Sequence, residues 1–120
     1  KNFALSAVLN GEPGDAASID ALMAASMEKR RTSQPVAASA GCIFKNPAEI
    51  PAGRLIEELG LKGRRSGGAK VSEVHGNFIV NDGGASAADV LALIDEVKAA
   101  ALAGCGIQLE TEVQIVGTEP

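Results

Sequence analysis

The residues of this chain that could do chemistry fall in two short pieces at opposite ends of its C-terminal two thirds. Cys42 follows Gly41 in the run Ala-Gly-Cys-Ile-Phe-Lys-Asn-Pro at 40–47, and Glu110 and Glu112 lie close to the C-terminal end. A cysteine thiol, with an ordinary pKa of about 8.5, is protonated at neutral pH and can donate that proton. A carboxylate beside it can stabilise charge that develops during such a transfer. The two pieces indicate a candidate site for proton delivery.

Each candidate also has a structural interpretation. Cys42 taken alone fits a buried structural thiol, and Cys105, between two glycines, has only that interpretation. Glu110 and Glu112 share one face of a predicted strand, so alternation does not say which of them would act. His75 fits either a loop histidine held by the backbone or a residue that contacts a ligand. The residues alone therefore predict a candidate acid and a candidate anion site, but no function.

Length and composition restrict the class of fold. The chain has 120 residues, enough for one compact domain with a core and too few for two ordinary ones. Apolar residues make up 46 %, but all three aromatic residues are Phe, so the core must be built from Ala, Val, Ile and Leu. This composition is typical of a soluble protein with helices and strands, and not of a disordered one.

Charge and cysteine content exclude several classes of function. The net charge of −4 argues against nucleic-acid binding. Basic residues nevertheless cluster at Lys29–Arg31 and within 62–70, which suits a small anion such as a diphosphate, or is simply a solvated surface. Two cysteines and one histidine form neither a zinc set nor a disulfide framework. With no run as long as a membrane span and no visible signal peptide, we expect a cytoplasmic protein with reduced thiols and no membrane contact.

Periodicity predicts the elements that position these residues. Helices are predicted over 15–31, 52–59 and 86–103, strands over 3–9, 69–72, 77–81 and 107–115, a short apolar segment over 41–44, and a linker over 32–38. We expect the first helix to bury one apolar stripe, formed by Ile19, Leu22, Met23 and Met27. Ser86 should cap the third helix, and Gly60 and Gly104 should end the second and third. The predicted fold is α+β, a two-layer domain with a mixed sheet and helices packed on it.

The order of short motifs adds a resemblance to a known family. The motifs are Ser-Gln-Pro at 33–35, Ala-Gly-Cys-Ile-Phe-Lys-Asn-Pro at 40–47, Ala-Gly-Arg-Leu-Ile-Glu at 52–57, Gly-Leu-Lys-Gly at 60–63, Gly-Gly-Ala-Lys-Val-Ser at 67–72, His-Gly-Asn-Phe-Ile-Val-Asn at 75–81, Gly-Ile at 106–107 and Leu-Glu-Thr-Glu-Val at 109–113. Along roughly 33–117 this set resembles the C-terminal domain of the UDP-N-acetylenolpyruvoylglucosamine reductase (MurB) family, with a linker like that of its type II members. The resemblance implies two parts: 1–32 as the terminal strand and helix of the preceding FAD-binding domain, and 33–120 as the C-terminal substrate-binding domain.

The resemblance also implies a reaction. In that family NADPH reduces FAD, the reduced flavin passes a hydride to the enolpyruvyl ether of UDP-N-acetylglucosamine enolpyruvate, and a proton from the protein quenches the resulting enolate. The product, UDP-N-acetylmuramate, is a peptidoglycan precursor. Since the family's flavin-binding loops precede this segment, and the sequence begins with Lys1 rather than Met, we expect an upstream FAD-binding domain to be needed to hold FAD.

Site residues are carried over position by position. The family's proton donor is usually a serine after Ala-Gly, and the matching residue is Cys42, which also has a proton to give. The glutamate before Val in the terminal motif is Glu112, which would help to stabilise the enol intermediate and orient the donor. Asn46 and His75 match substrate-binding positions. Lys45 and the Lys29–Arg31 cluster are further candidates to contact the diphosphate.

These assignments make a geometric prediction and leave two rival functions. The strand with Glu112 should lie beside 41–44, with Cys42 and Glu112 facing one shared cleft and Cys105 elsewhere. One rival is a non-catalytic module that binds a nucleotide sugar without a flavin half. The other is a structural α+β domain that binds no UDP-sugar at all.

Overall fold

The computed structural model describes residues 4–117, and the chain divides into two compact units, 1–30 and 31–120. The helices and strands, in chain order, are α1 (Ala16–Ser33), β1 (Ser39–Cys42), α2 (Ala52–Glu58), β2 (Arg65–Ser66), β3 (Ala69–Val71), β4 (Phe78–Asn81) and α3 (Ala87–Cys105). No helix within residues 4–117 is long and apolar enough to cross a membrane.

The first unit departs from the predicted strand. Residues 4–15 have no regular secondary structure, and Leu5, Val8 and Leu9 are more than 90 % exposed, whereas Phe3 lies outside the described residues. A strand needs a partner for its backbone groups, and no described residue pairs with this segment. The strand prediction is therefore wrong for residues 4–9.

Helix α1 begins where the sequence predicted and continues two residues past the predicted end. Asp15 accepts hydrogen bonds from the backbone N–H and the hydroxyl of Ser18, and these bonds lower the pKa of its carboxyl. The predicted apolar stripe is not buried, because its four side chains are between 44 % and 70 % exposed (Ile19, Leu22, Met23 and Met27). The predicted linker also shortens, since Thr32 and Ser33 belong to the helix.

The second unit contains a four-stranded sheet in the order β1-β4-β3-β2. Strand β4 was predicted to be central and apolar on both faces, and its Phe78, Ile79 and Val80 are all buried between two neighbouring strands. The sequence missed β2, which pairs with β3 across the two-residue connection Gly67-Gly68. All these pairings are antiparallel, so the sheet is not mixed as predicted. Connections as short as 67–68 and 72–77 cannot make the crossover that parallel neighbours need, which explains the direction of β2, β3 and β4.

Two helices accompany the sheet, which confirms the predicted α+β class. α3 packs against β2 and β3, and α2 contacts α3. As composition predicted, the shared core is mainly aliphatic: Ile43, Phe44, Ala52, Leu55, Ile56, Ala69, Val71, Ile79, Leu93, Ile94, Val97, Ala101 and Leu109. Burial of such side chains contributes about 25 cal/mol per Å² of apolar surface removed from water.

The predicted capping residues are confirmed at two helix ends and wrong at one. Ser86 and Asp89 form a capping box at the start of α3. After α2, the N–H of Gly60 donates to Glu57 O at 2.9 Å, as expected for a glycine that ends a helix. Gly104 does not end α3, because it is the next glycine, Gly106, that adopts the left-handed conformation, with φ 69°.

The predicted last strand is an extended segment with a single antiparallel bridge, between Phe44 and Thr111. Its predicted alternation holds as far as Val113, because the residues of one face are buried or half-buried (Ile107, Leu109, Thr111 and Val113) and those of the other are exposed (Gln108, Glu110 and Glu112). Ile115 is 66 % exposed, so the inward face ends before it. The segment is too irregular for a strand, but it lies beside residues 43–45, as predicted.

Candidate active site

Cys42 is placed by a bulge in the sheet. Ser39 lies opposite Val80 and Cys42 opposite Phe78, so β1 carries one more residue than β4 across this stretch. Gly41 has φ 82°, a left-handed conformation that glycine adopts without penalty. Bulges of this kind turn the next side chain away from its expected direction and are frequent beside active sites. Gly41 therefore provides the left-handed backbone conformation that the bulge before Cys42 requires.

Asn46 is fixed by the start of α2. Its Oδ1 accepts a hydrogen bond from the backbone N–H of Ala52 at 3.0 Å, which satisfies one of the N–H groups that a helix leaves unpaired at its first turn. With Oδ1 engaged, the Nδ2 group is the part of the side chain that can donate to a ligand.

His75 is held by the loop between β3 and β4. Its Nδ1 accepts the backbone N–H of Asn77 at 3.1 Å, and its ring packs edge-on against Phe78 with the ring centres 4.9 Å apart. Because Nδ1 is an acceptor, the neutral ring carries its proton on Nε2. Gly53 leaves room for the ring, since a Cβ at that position would lie 2.8 Å from its Cε1.

These three residues line one cleft of about 250 Å³. Cys42, Asn46 and His75 come from β1, the loop after it and the β3–β4 loop, and α2 adds Arg54 and Glu57. A thiol, an amide and an imidazole can each donate a hydrogen bond to an oxygen-rich ligand. The arrangement can orient a polar substrate and give it one proton.

Glu112 lies next to Cys42 but does not line that cleft. Its backbone N–H donates to Ile43 O at 2.8 Å, one residue after Cys42. Partial burial raises the pKa of the Cys42 thiol, and the negative charge of Glu112 raises the pKa further. The thiol is therefore held in its neutral, proton-donating form. The predicted shared cleft needs this correction: Glu112 acts on Cys42 from the neighbouring segment.

Glu110 has a different neighbour. Its Oε2 lies 3.0 Å from Nζ of Lys45, in an ion pair with both side chains largely exposed. Lys45 and Glu110 line a second cavity, of about 420 Å³, together with Asn46. The charge of Glu112 therefore acts on the Cys42 thiol, whereas Glu110 forms an ion pair with Lys45. Alternation in the sequence could not make that distinction.

Comparison with known proteins places this geometry in a family. The family model for "UDP-N-acetylenolpyruvoylglucosamine reductase, C-terminal domain" matches residues 33–116. The chain belongs to the MurB family. Two reductases of that name, from Heliobacterium modesticaldum and Bacillus subtilis, are 54 % and 51 % identical to it over 87 % and 94 % of the chain. The crystal structure of the Thermus caldophilus enzyme MurB matches 82 % of the chain with a TM-score of 0.68 and 47 % identity.

The MurB relatives are considerably longer than this chain. The matched segment makes up 34 % of the Heliobacterium protein, 38 % of the Bacillus protein and 34 % of the Thermus chain. The chain thus spans a little over a third of the length of its relatives. The family model covers residues 33–116, and the alignments with the Heliobacterium and Bacillus proteins, of 106 and 114 residues, extend beyond that range.

The basic residues within 62–70 do not form the open anion site that their clustering allowed. Lys62 pairs with Glu57 at 3.0 Å, and Arg65 pairs with Asp82. Arg64 and Lys70 also have carboxylate partners, Glu96 for the first and Glu73 and Asp82 for the second. Positive charge here is locally balanced, which favours the solvated-surface interpretation. The Lys29–Arg31 cluster lies in α1, and its contact with a diphosphate remains a prediction.

Sequence reasoning missed two kinds of residue in this MurB-like site. Arg54 and Glu57 line the cleft, although their sequence suggested only the polar face of a short helix. Asn77 was noted only as part of a motif, yet it is 3 % exposed and hydrogen-bonded through both ends of its side-chain amide. An asparagine at the first position of a predicted central strand, directly before the apolar run 78–80, is the signal that could have identified it.

The electrostatic link between Glu112 and Cys42 can be measured in this chain. In a Cys105→Ser background, the rate of Cys42 alkylation should rise with pH, because only the thiolate reacts. The pH at the midpoint of that rise should be higher than for a cysteine in a short peptide. Glu112→Gln should move the midpoint to lower pH, since it removes the charge that raises the thiol pKa. Glu110→Gln is the matched control and should leave the midpoint nearly unchanged. Equal shifts in the two variants would contradict the pairing of Glu112 with Cys42.

Proposed function

We propose that this chain is the C-terminal, substrate-side part of a cytoplasmic, FAD-dependent reductase that converts UDP-N-acetylglucosamine enolpyruvate to UDP-N-acetylmuramate with NADPH, in peptidoglycan precursor synthesis. The observation that carries the proposal is the position of Cys42, which lines one cleft with Asn46 and His75 and whose thiol pKa is raised by burial and by the charge of Glu112, in a member of the MurB family. A protonated acid that lines the cleft where the substrate binds is what delivery of a single proton requires.

The cleft residues fit the substrate side of such a reaction. They supply a thiol, an amide and an imidazole, which match the oxygen atoms of a sugar and a carboxylate better than an isoalloxazine ring. Bound FAD would supply the hydride, taken from NADPH. We propose that an upstream domain holds it, and that this chain alone does not.

Cys42 is the proposed proton donor. Its thiol would give its proton to the enolate carbon, and the resulting thiolate would regain a proton from solvent, because Cys42 is exposed. Glu112 contributes by keeping the thiol neutral until transfer, and we propose that it also orients the donor and helps to stabilise the enol intermediate.

Asn46, His75 and Lys45 are the proposed substrate contacts. Asn46 offers Nδ2 and His75 offers Nε2–H, since the acceptor atom of each side chain is already hydrogen-bonded to the backbone. Lys45 would contact a phosphate from the second cavity in exchange for Glu110. That exchange costs little, because exposed ion pairs contribute only about 0–1 kcal/mol.

A chimera tests the proposed function. The matched segment of the Bacillus subtilis reductase, 51 % identical, would be replaced by this chain. The chimera should be yellow and should oxidise NADPH only when the enolpyruvyl sugar is present. The chain by itself should be colourless and inactive towards NADPH. The unaltered Bacillus enzyme, assayed in parallel, is the control. If it is active and the flavin-loaded chimera shows no increase in NADPH oxidation when the sugar is added, the assignment is refuted.

Calorimetry with the UDP-sugar separates the two rival functions. A nucleotide-sugar-binding module without catalytic function would bind the sugar in the chimera while NADPH oxidation stayed at background. A purely structural domain would leave the chimera unable to bind the sugar at all. Binding together with sugar-dependent oxidation is the outcome that the proposed function requires.

A further inference from the structure

Asn77 occupies the position of a missing strand partner. Its Oδ1 accepts the backbone N–H of Phe44 at 2.9 Å, and its Nδ2 donates to the carbonyl of the same residue at 2.8 Å. An antiparallel neighbour satisfies a residue through this same pair of bonds, but here a side chain does so. With 3 % of its surface exposed, Asn77 is one of the few buried polar side chains among residues 4–117.

The backbone of Asn77 extends these contacts to both sides of the cleft. Its carbonyl accepts the N–H of Ile43 at 2.9 Å, directly after Cys42. Its N–H donates to Nδ1 of His75 at 3.1 Å. One residue thus fixes the segment that joins Cys42 to Asn46 and also fixes the orientation of the imidazole.

On the opposite side, the same segment is bonded to the C-terminal part of the chain. Ile43 accepts the N–H of Glu112 at 2.8 Å, and Lys45 donates to Glu110 O at 2.9 Å. Residues 43–45 therefore lie between Asn77 and the carboxylate segment. Loss of the Asn77 amide would leave both polar groups of the Phe44 backbone without their partner inside the core.

We infer that Asn77 is a positioning residue for the proposed reaction: its buried amide holds Phe44 so that Cys42, Asn46 and His75 keep their spacing around the cleft. The inference rests on the proposed function, which it deepens. Asn77 acts through its neighbours, because both ends of its side-chain amide are hydrogen-bonded to the backbone of Phe44. A displacement of about 1 Å in such a site can cost about 100-fold in rate.

Asn77→Leu tests the inference in the chimera, because leucine has a similar branched shape but cannot make either hydrogen bond. The matched control is Asn81→Leu, since the side chain of Asn81 also makes two hydrogen bonds to the backbone, in this case with Oδ1 accepting two N–H groups, at the other end of β4 and away from the cleft. Asn77→Leu should slow reoxidation of the flavin by the enolpyruvyl sugar about 10–100-fold and leave its reduction by NADPH unchanged. Asn81→Leu should leave both half-reactions within a few-fold of the parent.

Two further measurements keep the test decisive. If Asn77→Leu does not fold, Asn77→Ser removes the same two hydrogen bonds without adding a charge and leaves room for water at the Phe44 backbone, so it should fold and slow reoxidation selectively. In the unaltered chain, NMR should show slowly exchanging side-chain amide protons on Asn77. Fast exchange of those protons, or a folded Asn77 variant that reoxidises like Asn81→Leu, would overturn the inference.

The outcome for Cys42 separates this inference from the proposed function. Slow reoxidation in Cys42→Ala with normal reoxidation in Asn77→Leu would reject only the role of Asn77. Normal reoxidation in Cys42→Ala would reject the proton donor, and with it the basis of the positioning role.

Discussion

Cys42→Ala in the chimera should leave reduction of the flavin by NADPH near normal and slow its reoxidation by the enolpyruvyl sugar about 10²–10⁴-fold. The reason is that general acid catalysis by one positioned group commonly contributes that much, and only the second half-reaction consumes a proton at this position. Stopped-flow measurement of flavin absorbance resolves the two half-reactions.

Cys42→Ser is the matched control for that experiment. A hydroxyl keeps a donor of similar size, and serine is the residue that most MurB-like sequences are expected to carry there. This variant should retain substantial reoxidation activity. Cys105→Ser, at the end of α3, should behave like the parent. If the alanine and serine variants at position 42 both reoxidise at the parent rate, the thiol is only a packed side chain.

Glu112→Gln has the second largest expected effect, a loss of about 10²–10³ in the rate of reoxidation. Removal of one preorganised electrostatic group from an active site typically costs this much. Flavin reduction should again be unaffected. Glu110→Gln removes a carboxylate of the same strand face that pairs with Lys45 instead, and it should lose far less. Similar losses of reoxidation rate in both glutamate variants would show that the effect of Glu112 on Cys42 does not contribute to the reaction.

The pH dependence of flavin reoxidation tests the effect of Glu112 on Cys42, because the direction of the expected shift is known. The donor form of Cys42 is lost as the pH rises through the pKa of its thiol, and burial together with Glu112 raises that pKa. Activity in the parent should therefore persist to higher pH than in Glu112→Gln, whose alkaline decline should begin earlier. In Cys42→Ser this decline should disappear, because a serine hydroxyl does not titrate in the range.

The sequence by itself determined the helices of the second unit and the central strand. Ser86 and Asp89 cap α3, and Gly60 ends α2, through bonds to residues only a few positions away. Helix caps and hydrophobic periodicity are local, so the order of residues is sufficient to predict them. The order of motifs likewise determined the family, and with it the candidate residues.

Only the tertiary structure decided how those residues meet. The charge of Glu112 rather than Glu110 acts on Cys42, the basic residues within 62–70 pair with carboxylates, and Asn77 is hydrogen-bonded to Phe44, 33 positions away. Residues 4–9 form no strand, because no described residue pairs with them, and β1 has a bulge at Gly41 because of its register against β4. Both features depend on the neighbouring strand. Pairing joins parts of the chain that are distant in sequence, and neither periodicity nor propensity contains that information.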